Sequence, residues 1–502
     1  MKFARISLFR RAVAILIVFT SMSLVAQLPV PLTVQEALYP GASTNGIDRS
    51  QDPVTVGIPL ADSAGINSIS QLGLQGASVG QFRVLGRWPS GHIQWVLVDT
   101  QADLHAGGKN TGVSLTQGGT GNFGGTALAT DKGSTITVNT GTAQFTIRKA
   151  NFNIFDQVVS GGKTLVSSGS SQGLAVLGPV SPQTSCNPGP CTTQYLSSND
   201  GTSTAVIEEN GPVRAVIRAD GIHRDAAGNS YMRFTVRMHF YKNKTFVKLT
   251  TILRNADEGP SNTFSSAAKG FTSYELRLSS ALSSGKSFAF GKDSGTTSGT
   301  FSGSENAYLY QAYSNEMEHP HWNGATCPYG SSVPRCVAPF ITRTVTAAPF
   351  TYSQDGYQIV QGHNTLANAD HSHYPAGWAD LTDGTGAGIE VGIYQMSSYW
   401  PKSLQFQNGG SEIRVGIWPD QSLSPVNSKA AIPYYQAWPQ YSVHDLYLNF
   451  HSAPLTSPGS EFLKFQHYLM ARAPIAYYNN ANVFFYSLLD PVEEDSYWSG
   501  AS

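Results

Sequence analysis

Between residues 213 and 254 one pattern recurs, and it leaves few folds open. In Phe234–Phe240, residues Phe234, Val236, Met238 and Phe240 share one parity, while Thr235, Arg237 and His239 share the other. In Val213–Ala219, residues Val213, Ala215, Ile217 and Ala219 alternate with Arg214 and Arg218, and only Val216 breaks the rule. Val247–Arg254 follows it loosely. Successive side chains of a strand point to opposite faces, so period-two patterning over consecutive strands predicts an antiparallel sheet with one buried face. An amphipathic helix would repeat every 3.6 residues instead. Further strands follow as far as Asp445–Phe450, and a large β-sandwich over residues 130–455 is the expected product. The 50 glycines and the many short Ser/Thr/Asn/Gly segments suit frequent turns.

A smaller β unit precedes it, over residues 45–125. Pro53–Leu60 reads as a strand, and Phe82–Trp88 and His92–Asp99 read as a hairpin around the turn Pro89-Ser90-Gly91. Its apolar residues would face a small barrel-like core. The Gly/Thr/Ser-rich stretch from Gly107 to Ser134 reads as a flexible connection or a set of long turns. Near the other end, Glu461–Arg472 has helical spacing, with Phe462, Phe465 and Leu469 on one side and Pro474 ending it. Residues 456–502 are thus expected to be a short helical or irregular tail.

The N-terminus carries Lys2, Arg5, Arg10 and Arg11 before the apolar run Ala12–Thr20, with small residues near Ala26. A basic start, a short apolar run and a small-residue end describe a secretory signal peptide over residues 1–26. The run is short for a membrane span, which needs about 20 apolar residues. An uncleaved anchor is the alternative. The expectation is a secreted or periplasmic protein with no membrane span in the mature chain. A formal net charge of -1 argues against a nucleic-acid partner. Four cysteines fall in two local pairs, Cys186 with Cys191 and Cys327 with Cys336, each bracketing a Pro/Gly loop. Local closure as two disulfides is the simplest pairing in an oxidising compartment. A metal site is the alternative, without C-x-x-C spacing to support it.

Two sets of motifs, in order along the chain, carry a family resemblance. Pro53–Leu60 followed by Gly86–Val98 resembles the N-terminal RIFT-barrel domain of exo-rhamnogalacturonan-lyase-like proteins. Their Asp-Gly-Ser turn is replaced here by Ser90-Gly91-His92. Gly377–Gly384, Gly388–Ile393, Tyr399–Leu404, Ile417–Pro419 and Val443–Phe450 are similar to the central β-sandwich of the same group. The resemblance implies a mainly β chain, a RIFT-type barrel followed by a large antiparallel sandwich. In that family a helical (α/α) toroid follows. Here the chain stops where the toroid would begin, so it is expected to be a short member or part of a larger lyase. The implied activity is β-elimination on a uronic-acid-containing glycan, and the implied partner is an acidic or pectic polysaccharide. The rival reading is a non-catalytic glycan-binding or structural β-protein.

A lyase must neutralise the sugar carboxylate, remove the C5 proton and protonate the leaving oxygen. Arg, Lys or a bound calcium does the first, and Tyr, His or Lys the others. Four groups of residues suit such work. Glu316–Trp322 places His319 and His321 two apart beside Trp322, a flat face for a sugar ring. His371 and His373 repeat the spacing near His363 and Asp370. These four histidines are the candidate acids and bases, alternatively metal ligands or loop histidines bonded to backbone. Arg214, Arg218, Arg237, His239, Arg254 and Arg277 form a row of cations, with Arg237 and His239 as candidate substrate contacts. The alternative for the row is a solvated face with local salt bridges. Tyr399, Trp400, Tyr434, Tyr435 and Trp438 are aromatic candidates for sugar stacking or for core. No nucleophile triad, phosphate loop or dinucleotide fingerprint occurs.

Overall fold

The computed structural model describes residues 28–37, 46–178, 193–255, 269–311, 356–369, 373–399, 401–420, 423, 434–436, 440–484 and 488. It is mainly β. The alternating segments become three long neighbouring strands, Arg214–Arg224, Ser230–Tyr241 and Phe246–Arg254, all paired antiparallel. They belong to a 17-stranded sheet folded into two layers around one core. One layer continues from Phe246–Arg254 through Tyr441–His451, Gly388–Ile393, Trp378–Thr382 and Ser287–Gly291. The other runs from Gly173–Leu177 through Ser273–Ser279, Glu412–Trp418, Lys402–Gln407, Ala307–Gln311 and Tyr357–Gln361. The inward parity is the one the sequence marks: Phe234, Val236, Met238 and Phe240 are wholly buried.

A five-stranded sheet over residues 129–166 packs on the same core. Its Phe145 ring lies 5.0 Å from Phe240 and 5.6 Å from Phe450. Offset and edge-on aromatic contacts of this kind add to the area they bury.

The N-terminal unit has a core of its own, with Val56, Ile58, Val96, Val98 and Leu115. The expected hairpin forms from Gly80–Arg87 and Ile93–Leu104, and Arg49–Pro59 pairs on its other side. A second sheet closes the unit from Leu72–Gln75, Asn110–Gln117, Val30–Glu36 and Leu469–Arg472. Two expectations are corrected here. The Gly/Thr/Ser stretch holds two strands, Asn110–Gln117 and Ala129–Asp131. Only Val113 and Leu115 of the first are apolar and buried, too few to show as a pattern. The helix near the end is Ser460–Gln466 alone, and Leu469–Arg472 is a strand against Val30–Glu36. The open backbone edge of Val30–Glu36 takes those residues, and pairing overrides a helical spacing of three side chains. Pro474 stands immediately before the next helix, Ile475–Asn480, rather than ending one.

Polar groups dock the two units. Gln81 Oε1 accepts from the backbone N–H of Val213 and of Arg214, at 3.1 and 2.9 Å. Arg214 Nε lies 3.0 Å from Asp99 of the N-terminal unit, and Lys244 Nζ donates to Asp52 at 2.6 Å.

Candidate functional site

Where the N-terminal unit meets the outer face of the sandwich, a cleft of about 700 Å³ opens. Alternation builds its floor. The parity opposite the buried one places His239 and Tyr241 outward on one strand, Lys248 on the next, and Asp445 and Tyr447 on the third. One wall is strand Arg49–Pro59 with Leu469–Ala471. The other is the helix Ser460–Gln466, through Glu461, Lys464 and Phe465. Arg49 ties the walls together. Its guanidinium donates to Glu36 Oε1 at 2.5 Å and to the carbonyls of Lys464 and His467 at 3.0 and 2.6 Å.

His239 lies between two cations. Its Nδ1 is 3.5 Å from Arg214 Nη1, and Lys248 is its cross-strand partner. Burial, then Arg214 and Lys248, hold the imidazole pKa down to about 3, so it is neutral near pH 7. Tyr241 is pushed up to about 12 by burial and keeps its proton. Lys248 pairs with Asp445 at 2.9 Å. The Tyr447 hydroxyl is buried without a hydrogen-bond partner among the described residues. The cleft thus combines a neutral imidazole, a protonated phenol and fixed cations, the group types an elimination needs. An imidazole of pKa about 3 is a weak base by itself. A substrate carboxylate placed beside it would raise that value by offsetting Arg214 and Lys248.

The row of cations is present and charge-balanced. Arg214 pairs with Asp99 and Glu209, Arg218 with Glu208 and Asp220, and Arg237 with Glu208 at 2.7 Å. Arg254 lies 3.8 Å from Asp220, and buried Arg277 pairs with Glu275. Of the two substrate candidates in that row, His239 lines the cleft and Arg237 does not.

Other candidates map to one end of the sandwich. Tyr399 is exposed there, its ring 6.4 Å from His444. His373 is exposed, 4.0 Å from Asp293, whose Oδ1 accepts from the Tyr357 hydroxyl. The Tyr434 ring lies tilted against Trp418, centroids 5.2 Å apart. His319, His321, Trp322, His371, Trp400, Trp438 and the four cysteines lie outside the described residues, as does the signal segment. Among the described residues no three His, Cys, Asp or Glu converge as metal ligands, and no helix is long and apolar enough to cross a membrane.

Sequence reasoning missed Tyr241, Lys248, Asp445 and Tyr447, although they continue the outward parity of His239. It also missed Lys402. Leu404 and Phe406 face the core, and the same parity carries Lys402 inward.

No curated protein matches the chain. Among solved structures it is similar to an alpha-mannosidase from Enterococcus faecalis V583, at 10% identity and TM-score 0.41. That match covers 89% of this chain and 46% of the other, so this chain spans about half that protein's length. It is also similar to a galactose mutarotase related enzyme from Lactobacillus acidophilus, at 9% identity and TM-score 0.30, covering 64% and 98%. Likenesses this distant do not bear on activity. The sequence comparison is more specific: residues 128–264 match the PcRGLX-like protein central beta sandwich domain. Those residues make up the five-stranded sheet and the strands that form the cleft floor through Lys248, and over this central β-sandwich the match supports a likeness to the rhamnogalacturonan-lyase-like family.

Proposed function

We propose that this is an exported carbohydrate-active protein that binds a uronic-acid-containing, pectic glycan in the cleft and cleaves it by β-elimination. The observation that carries the reading is the placement of neutral His239 between Arg214 and Lys248, with Tyr241 on the same strand face. In this scheme the cations face the sugar carboxylate, His239 takes the C5 proton, and Tyr241 donates to the leaving oxygen. The family match supports a saccharide partner, and the basic and apolar N-terminus supports export.

A second reading, a non-catalytic glycan-binding protein, is favoured by one observation. Arg214 and Lys248 already have carboxylate partners within the protein. One assay separates the two. The full chain is mixed with rhamnogalacturonan and other pectic polymers, and the ultraviolet absorbance of an unsaturated uronate is followed. Absorbance that grows with time, and falls at least 100-fold in rate in His239→Ala and Tyr241→Phe, is the expected result. Polymer binding without absorbance selects the second reading. Neither binding nor absorbance refutes both.

A further inference from the structure

At the end of the sandwich, on the opposite face of strand Tyr441–His451 from the cleft, the apolar core finishes in a polar layer. Asp445 and Tyr447 of that strand line the cleft, while Leu446, Leu448 and Phe450 point into the core. His444 shares the core parity. Lys402 opens the neighbouring layer and is 1% exposed. Its ammonium lies 4.6 Å from the centre of the Trp418 ring, and its hydrogen bond goes to the Pro401 carbonyl at 3.3 Å. No carboxylate pairs with it among the described residues. Directly across the ladder stands Gln311, wholly buried, with neither amide atom hydrogen-bonded among the described residues. The Trp418 indole N–H and His444 Nδ1 are buried and unpartnered as well among the described residues. The His444 ring is 5.8 Å from Trp418 and 6.4 Å from Tyr399, and Tyr399 is 54% exposed, marking the solvent edge.

Orphaned buried polar groups are uncommon in folded proteins, and each is costly. Here the unpaired groups are neighbours, and beside the Gln311 carbonyl oxygen and His444 Nδ1 most of them are donors. An ammonium, an indole N–H and an amide NH₂ are donors, and none meets a carboxylate among the described residues. A buried cation without a counter-charge is the more costly part. The electrostatics agree with the geometry: burial holds Lys402 down to about 7, and burial and Lys402 hold His444 down to about 3. A ligand that completes this group is an anion offering several lone pairs. A carboxylate is acceptor-only, with two oxygens. The Trp418 and Tyr399 rings beside it would suit the apolar face of a pyranose.

We propose that Lys402, Gln311, Trp418 and His444 form a second site, separate from the cleft, that takes the carboxylate of an acidic sugar. The sugar half of this assignment rests on the carbohydrate reading above, and the anion half does not. Binding here would hold one uronate residue of a chain away from the place where bonds are broken.

The test uses the full chain, ¹⁵N-labelled at tryptophan, with the Trp418 indole signal assigned through Trp418→Phe. Galacturonate, galactose and acetate are titrated separately. The expected result is a saturable shift of the Trp418 signal with galacturonate, at least tenfold weaker binding of galactose and acetate, and at least tenfold loss for galacturonate in Lys402→Met. Lys402→Met should melt no lower than the parent, which removes misfolding as the cause. No Trp418 response to galacturonate, an equal response to galactose or acetate, or full affinity in Lys402→Met would each overturn the site. So would a lower melting temperature for Lys402→Met, the sign that the ammonium already has an internal carboxylate. The elimination assay on polymer stands apart. Product without a Trp418 shift refutes only the second site, and a Trp418 shift without product refutes only the elimination reading.

Discussion

His451 Nε2 lies 3.0 Å from Asp380 Oδ1, both side chains buried, and the pair borders Glu390 on the next strand. Glu390 accepts from the backbone N–H of Gly459 at 2.7 Å. Gly459 is the residue from which the helix Ser460–Gln466 starts. A buried acid cluster under the sandwich surface therefore anchors the helix that walls the cleft.

That anchor predicts a pH dependence. Burial, then Asp380, raises Glu390 from 4.5 to about 7. Burial disfavours the His451 cation, but Asp380 outweighs it and the net shift is upward. Both groups bind protons more tightly in the folded state, so their contribution is present at low pH and lost as pH rises through the folded values. For Glu390 the loss spans pH 4.5 to about 7. Melting should fall between pH 5 and 8 by the equivalent of about 1–3 kcal/mol, and Glu390→Gln should flatten that part of the profile. An unchanged slope in the variant would refute the assignment.

Arg49→Met should destabilise strongly. The guanidinium is buried with Glu36 and Asp52 and holds the carbonyls of Lys464 and His467. Removing it strands the buried Glu36 carboxylate and leaves Asp52 with Lys244 alone, a loss of about 3–5 kcal/mol. Denaturant unfolding measures it, and a change under 1 kcal/mol would show that the pair is not held as the distances imply.

Gly392→Ala tests the seat of the same helix. An added Cβ would lie 2.2 Å from Phe462 Cε2, and Phe462 is wholly buried between Tyr447 and Phe465. The ring has no free volume to yield, so a loss of about 1–3 kcal/mol is expected. Gly201→Ala is the control, because its added Cβ meets nothing within 4 Å and its backbone is not left-handed. It should stay within about 0.5 kcal/mol of the parent.

The sequence by itself determined the layers. Alternation is a local steric property of an extended chain, so the strands through Phe234–Phe240 and the hairpin ending in Trp95–Asp99 could be read without knowing their neighbours. The same parity, carried one residue past Phe240 and along Lys402–Gln407, places Tyr241 outward and Lys402 inward, a signal the sequence reading did not use. Only the tertiary structure decided which charges meet. Arg214 and Arg237 look alike on paper as free cations, but carboxylates from other strands claim both. His239 becomes a site residue because Arg49–Pro59 and Ser460–Gln466, far from it in the chain, close a cleft over it. Leu469–Arg472 became a strand because an open edge was waiting. Burial and ion pairing are sums over long-range neighbours, and no window of sequence contains those neighbours.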